Sequence, residues 1–439
     1  MAEQKSHINS AYAWYVVVIL LLAQALSYVD RQILSLMVAP IRKDLGLSDT
    51  ELSLLQGFAF VLFYTFLGIP LGWVADRRSR KNLIGTGLGI WGLATALCGL
   101  AGTFSQLFGA RVLVGVGEAS LSPAAYSIIA DYFTHEKRAR ALSLYSTGVS
   151  VGAGLAAILG GAAIAFAGEV ANWFAVYGLH FRNWQIVFFL VGAPAAILLP
   201  FVFALREPER LERGEVSGDA WADFKAGLGV IAKKRGVYVP VILGLSMTAL
   251  VNYASLAWVP SYFIRVFQWT APEIGFAFGM TVVGTGICGS MTAGFLSDWL
   301  VIRGKREGPV VVMMWAAILA ILPAVAFSFL KNDLAALAAI GVMLFFITFP
   351  IGLAPAILQA VTPNELRAQV SALYIFVVVF IALGLGPTIV AATSDYFFRD
   401  EMMIGRALAI VSWVVLPCAV VLLAIARPRA REMLLQRPN

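Results

Sequence analysis

Four charged residues, Asp30, Arg31, Arg111 and Glu118, each sit inside a long apolar run. A charge held in hydrocarbon is costly and usually serves function. A carboxylate there can carry a proton. An arginine has no practical neutral form, so it can hold a carboxylate ionised or bind an anion. Spacing brings these groups together. At about 1.5 Å per residue, Asp30 and Arg31 lie roughly 25 Å above the start of their run near Ala13. Arg111 lies roughly 6 Å into an antiparallel run that starts near Leu107. In a core about 30 Å thick these heights nearly agree, which puts an Asp30–Arg111 pair within reach. Glu118 lies seven residues beyond Arg111, about two turns deeper on nearly the same helix face.

Two carboxylates and one guanidinium on one polar path make a proton switch. Arg111 would exchange between Asp30 and Glu118, and the deserted acid would take up a proton. The alternative is a static ion pair that fixes helix packing. Arg31, one residue from Asp30, points about 100° away and either faces a cavity or snorkels outward.

The elements that must position these groups are membrane helices. The chain has 439 residues, 60% hydrophobic and only 13% charged, against about 25% charged in soluble domains. Twelve apolar spans can be drawn, approximately 13–38, 53–75, 83–104, 107–132, 141–167, 184–205, 239–263, 274–297, 309–330, 334–361, 370–394 and 404–426. The first is too long for a signal-peptide core and reads as a retained span. The net charge of +7 is spread over short loops, which fits membrane orientation and not nucleic acid. With the N-terminus inside, the cytoplasmic side holds 23 Lys or Arg and the opposite side seven. This asymmetry puts both termini in the cytoplasm and the chain in the cell inner membrane. The three cysteines and three histidines form no disulfide framework and no metal cluster, so no metal or cofactor is expected.

The longest polar interruption, Arg206 to Arg235, divides the chain into six plus six spans. The expected domains are an N-terminal bundle (1–205), a cytoplasmic central loop (206–238) and a C-terminal bundle with a short tail (239–439). An internal repeat agrees. A shift of 222 places Glu51, Gly57, Gly72 and Asp76 on Glu273, Gly279, Gly294 and Asp298. A shift of 229 places Arg138, Ala139, Leu144 and Tyr145 on Arg367, Ala368, Leu373 and Tyr374.

The run Gly72-Trp-Val-Ala-Asp76-Arg77-Arg-Ser79-Arg80-Lys81 resembles the loop 2–3 signature of the major facilitator superfamily, with Ser79 in place of a glycine. Gly294-Phe-Leu-Ser-Asp298 is its weaker second copy. Arg111-Val-Leu-Val-Gly115-Val-Gly117-Glu118-Ala119 resembles the span-4 signature, whereas Ala153 stands where antiporter-type members have proline. Within the superfamily, Tyr28-Val-Asp30-Arg31-Gln32 with Glu118 resembles the spinster family, which includes proton-linked transporters of lysolipids. The resemblance implies an all-α membrane fold of twelve transmembrane helices in two pseudo-symmetric six-helix bundles. It also implies proton-coupling roles for Asp30 and Glu118, and a gating network through Gly72, Asp76, Arg77, Arg80, Lys81 and Asp131 that latches the outward-open state. Arg77 is the residue expected to bridge to Asp131. Basic residues here would also set topology, whatever their partners.

Asn252 and Tyr253 in span 7 and Phe349 in span 10 either line a central cavity, with Arg31, or pack. The expected function is a secondary transporter, proton-coupled as the resemblance implies, moving a small amphipathic or lipid-like molecule by alternating access as a monomer. The second reading is an organic-anion/proton symporter with Arg31 and Arg111 as anion site. A membrane enzyme would need a nucleophile–base pair or metal cluster, and none is visible. A channel is commonly an oligomer with a filter, which a two-fold repeated single chain does not need.

Overall fold

The structure, a computed structural model, describes residues 10–210, 220–362 and 366–435. Among them there is no strand. Eleven helices are long and apolar enough to cross a membrane. The remaining expected span, the third, is the helix Arg80–Cys98, whose 19 residues reach about 28 Å. Hydrocarbon offers the backbone no hydrogen bonds, so each apolar run closes its own as helix. One further helix, Ala220–Lys233, falls in the stretch expected as a central loop.

Several spans are interrupted, and three interruptions lie just before a proline. Span 4 is helical over Phe104–Glu118 and again over Leu121–Tyr132. Pro123 cannot donate to the carbonyl of Ala119 and its ring crowds it, so the helix parts at Ala119 and Ser120. Span 10 parts at Thr348, two residues before Pro350. Span 11 loosens into a π-turn at Phe380–Leu385 just before Pro387. Span 1 changes from α-helix at Gln32 to a 3₁₀ turn over Ile33–Leu36.

Close contacts divide the chain into two compact units. The first comprises Met1–Ile33 and Leu62–Val216. In it span 1 packs on span 5 at Gly152, where an added Cβ would stand 2.7 Å from the Ala25 carbonyl oxygen. Spans 3 and 4 cross at Gly87 and Gly117, where a Cβ on Gly117 would stand 2.7 Å from the Gly87 carbonyl oxygen. Small residues let membrane helices approach backbone to backbone. These two contacts fix span 1 on span 5 and span 3 on span 4.

The second unit comprises Leu34–Val61 and Ser217–Asn439. Its core gathers Tyr238, Val241, Met313, Phe349, Ile357 and Leu423 among others.

Candidate functional site

In the first unit Arg31 and Glu118 form a buried ion pair. Arg31 Nη2 lies 2.7 Å from Glu118 Oε2, with side chains 5% and 0% exposed. Arg31 Nε donates to the same oxygen at 2.8 Å, and the Ser27 hydroxyl donates to it at 2.6 Å. Ser27 and Arg31 are four residues apart, hence on one helix face, so both reach one carboxylate. Arg31 Nη2 also donates to Ser27 Oγ at 3.2 Å. The guanidinium lies 4.7 Å from the ring centres of both Tyr28 and Tyr64, within cation–π range. Glu118 is the last helical residue before the break in span 4.

Arg111 is arranged differently from the sequence expectation. Its Nη1 donates to the main-chain carbonyl of Asp30 at 2.8 Å, and its Nη2 to that of Arg31 at 3.4 Å. These carbonyls lie in the last turn of the span-1 α-helix, where the pattern changes to 3₁₀. A cation is favoured at a helix C-terminus. Arg111 therefore caps span 1, and the cation on Glu118 is Arg31, which sequence reasoning had set aside as a cavity candidate. Asp30 is fully buried, and neither carboxylate oxygen has a hydrogen-bond partner. Thr95 faces it, with Arg111, Glu118 and Arg31 as its charged neighbours. Ser27, Tyr28 and Tyr64 were missed as partners; the one available signal was the i, i+4 spacing of Ser27 and Arg31.

A second network closes the end of this unit where span 2 gives way to span 3. Arg80, not Arg77, bridges to Asp131. Arg80 also donates through Nε to Glu207 at 2.7 Å, through Nη1 to Ser127 Oγ at 2.9 Å and through Nη2 to the Pro208 carbonyl at 2.9 Å. Arg77 instead stacks over Trp73, 4.0 Å from its ring centre. The reason is position. Arg77 ends a helix, exposed and set back over Trp73, while Arg80 begins the next and is buried. Glu207 also accepts from Ser79 Oγ, from the Lys81 N–H and from the Arg80 N–H at 3.0 to 3.2 Å. Burial disfavours its charge, but these bonds from Arg80, Lys81 and Ser79 outweigh that and hold its carboxyl below the usual range. Glu207 is a member that the sequence did not announce. Lys81 Nζ donates to the Phe203 carbonyl at 3.1 Å. Gly72 faces Pro123, and the side chain of Asp76 lies outside the described residues.

In the second unit Gly294 has open space beside it and Asp298 is exposed. Asn252 and Tyr253 are half-buried on span 7. Phe349 is buried against Phe345 and Phe346, at ring separations of 5.2 and 5.7 Å, and belongs to the core. Asp49, fully buried, takes two hydrogen bonds from Arg265 at 2.6 and 2.7 Å. Beside it, the Thr50 N–H and hydroxyl both donate to Asp395 at 2.7 Å, and Arg42 pairs with Glu401. Among the described residues no His, Cys, Asp or Glu group could hold a metal ion.

The sequence profile of the Major Facilitator Superfamily matches residues 20–427. An MFS-type efflux pump of Mycolicibacterium smegmatis is 28% identical over 324 residues, 73% of this chain and 70% of that protein. Protein spinster homolog 1 of Xenopus tropicalis is 31% identical over 67% of this chain. The match spans 56% of that homolog and 48% of the Drosophila melanogaster protein spinster, about half of each. A D-galactonate transporter of Escherichia coli is 26% identical over 66% of this chain and 68% of its own length. The crystal structure of a bacterial homolog to the human lysosomal transporter Spinster, inward-facing and unoccupied, superposes with a TM-score of 0.81 at 25% identity over 98% of both chains. A chain whose interrupted membrane helices gather two acids and two arginines in one unit, and which matches this profile almost end to end, is a multi-pass transporter, not an enzyme, and belongs to the Major Facilitator Superfamily.

Proposed function

We propose that this transporter is proton-coupled and moves a small amphipathic or lipid-like molecule by alternating access. The observation that carries the reading is the buried Arg31–Glu118–Ser27 cluster beside the buried carboxylate of Asp30. Arg31 cannot lose its charge, so Glu118 and Asp30 are the groups that load and release protons. Protonating Glu118 weakens its hold on Arg31 and frees the guanidinium, between its two tyrosines, for a substrate headgroup. Each charge crossing about 100 mV supplies about 2.3 kcal/mol, and a tenfold proton gradient about 1.4 kcal/mol.

Arg80, Asp131 and Glu207, with Gly72, Asp76, Arg77 and Lys81, form the latch of the cytoplasmic face, and Gly294 and Asp298 are its counterpart in the second half. Six spans on each side of the central loop act as the two moving halves. The carrier works as a monomer in the cell inner membrane with both termini cytoplasmic. Loop charges support that orientation.

An organic-anion/proton symporter is the second reading. It is favoured by Arg31 as a ready anion partner and by similarity to a D-galactonate transporter. The test is uptake into proteoliposomes under an imposed pH gradient, with a lysophospholipid and D-galactonate as competing probes. Gradient-driven uptake of the lysophospholipid alone supports the first reading, and of galactonate alone the second. Uptake unaffected by the gradient overturns proton coupling.

A further inference from the structure

Five buried side-chain polar atoms, on Asp30, Trp91, Thr95 and Glu118, lack a hydrogen-bond partner among the described residues. Buried polar groups are nearly always paired with protein or ordered water, so such a concentration points to a ligand. Its members bracket the two acids of span 1 and span 4. Thr95 faces Asp30. The backbone of Trp91 packs on Gly117, where an added Cβ would stand 2.7 Å from the Trp91 main-chain nitrogen, and Gly117 directly precedes Glu118. Thr95 and Trp91 are four residues apart on span 3, so they lie on one face with a rise of about 6 Å between them. Together they step from the level of Asp30 towards that of Glu118.

The donor set decides what would sit there. A metal cation would meet the indole N–H of Trp91 and the guanidinium of Arg111, which lies 2.8 Å from the Asp30 carbonyl. Both repel it. Water accepts from the indole, exchanges hydrogen bonds with the Thr95 hydroxyl and donates to a carboxylate, the two to four polar partners that a buried water uses. Other groups facing Asp30 are Arg31 on its own span, Arg111 and Glu118 on span 4 and Cys98 on span 3.

We propose that Trp91 and Thr95 hold a bound water that relays protons between Asp30 and Glu118. Protonated Glu118 gives its proton to the water while the water gives one of its own to the Asp30 carboxylate. One O–H bond breaks and one forms at each step, and the water is regenerated. Trp91 and Thr95 are positioning residues, since neither need change protonation state. The inference rests on the proton-coupled reading above.

The experiment is pH-jump difference infrared spectroscopy on the purified full chain in lipid vesicles, with no substrate added. Wild type is expected to show protonated-carboxyl bands that Asp30→Asn and Glu118→Gln remove, and an internal-water band that shifts in heavy-oxygen water. In Thr95→Val combined with Trp91→Phe the water band disappears and the carboxyl bands rise at least about tenfold more slowly. Thr95→Ser restores wild-type kinetics, which a merely structural role for the hydroxyl would not require. Carboxyl bands that titrate with no water band, or with unchanged rates in the double variant, overturn the relay alone. Carboxyl bands that do not titrate overturn the relay and the proton-coupled reading together.

Discussion

Arg111 holds the main-chain carbonyl of Asp30 at 2.8 Å, and the Asp30 carboxylate is not its hydrogen-bond partner. A residue expected to move between two acids is thus tied to the backbone of one helix. The side-chain ion pair with a buried acid belongs to Arg31 and Glu118. The two arginines should therefore fail differently when replaced. Arg111→Lys keeps the charge but offers one point donor in place of a planar fork. It should lower thermal stability and transport while leaving the remaining transport as pH-dependent as before. Melting curves followed by pH profiles of uptake check this.

Arg31→Ala leaves Glu118 as a buried carboxylate with its counter-charge gone. Breaking one side of a buried pair costs about 3–5 kcal/mol, so this variant should be markedly less stable. Glu118→Gln in the same chain should recover part of the loss, because no unpaired carboxylate remains. A double-mutant cycle on thermal unfolding measures the coupling.

The Glu207 cluster gives a pH signature. Its carboxyl lies below the ordinary value of 4.5 in the folded protein. The stability it contributes is therefore fully present above that ordinary value and is lost as pH falls through the lower folded value. Glu207→Gln should melt below wild type at neutral pH, and the gap should close in acid. A gap that is constant with pH would contradict the assignment.

Asp49 and Arg265 tie the start of span 2 to the end of span 7 within one unit. Asp49→Asn should destabilise this unit by about 3–5 kcal/mol, since Arg265 keeps its charge in a buried place. Asp49→Arg with Arg265→Asp should restore part of it. Unfolding by denaturant, compared across the single and paired variants, tests the tie.

Spans and their number were legible because bilayer thickness and backbone satisfaction leave little freedom to an apolar run. The direction of Arg31 was left open, but that Asp30, Arg111 and Glu118 could share one path was legible from depth and helix face. Which guanidinium meets which carboxylate was not. That depends on how spans 1 and 4 are rotated about their axes, which spacing leaves open; where span 1 turns from α to 3₁₀ and where span 4 parts at Ala119 were not legible either. Proline alone did not announce those places. Pro123 breaks span 4, yet Pro240 and Pro260 lie inside the continuous helix Arg235–Val266. Glu207 and Asp49 were missed for another reason. Each stands in a loop or at a helix start where an acid normally meets water, and only the packed chain shows the arginine it serves.

The most direct test of proton coupling is proton flux itself. Vesicles containing the transporter and a trapped pH-sensitive dye are mixed with a lysophospholipid, then with D-galactonate. For the transported probe, wild type is expected to move protons together with it. Asp30→Asn and Glu118→Gln, folded and inserted to the same extent, are expected to abolish that flux. Wild-type proton flux in both variants, or transport without any proton movement in the wild type, would contradict the account.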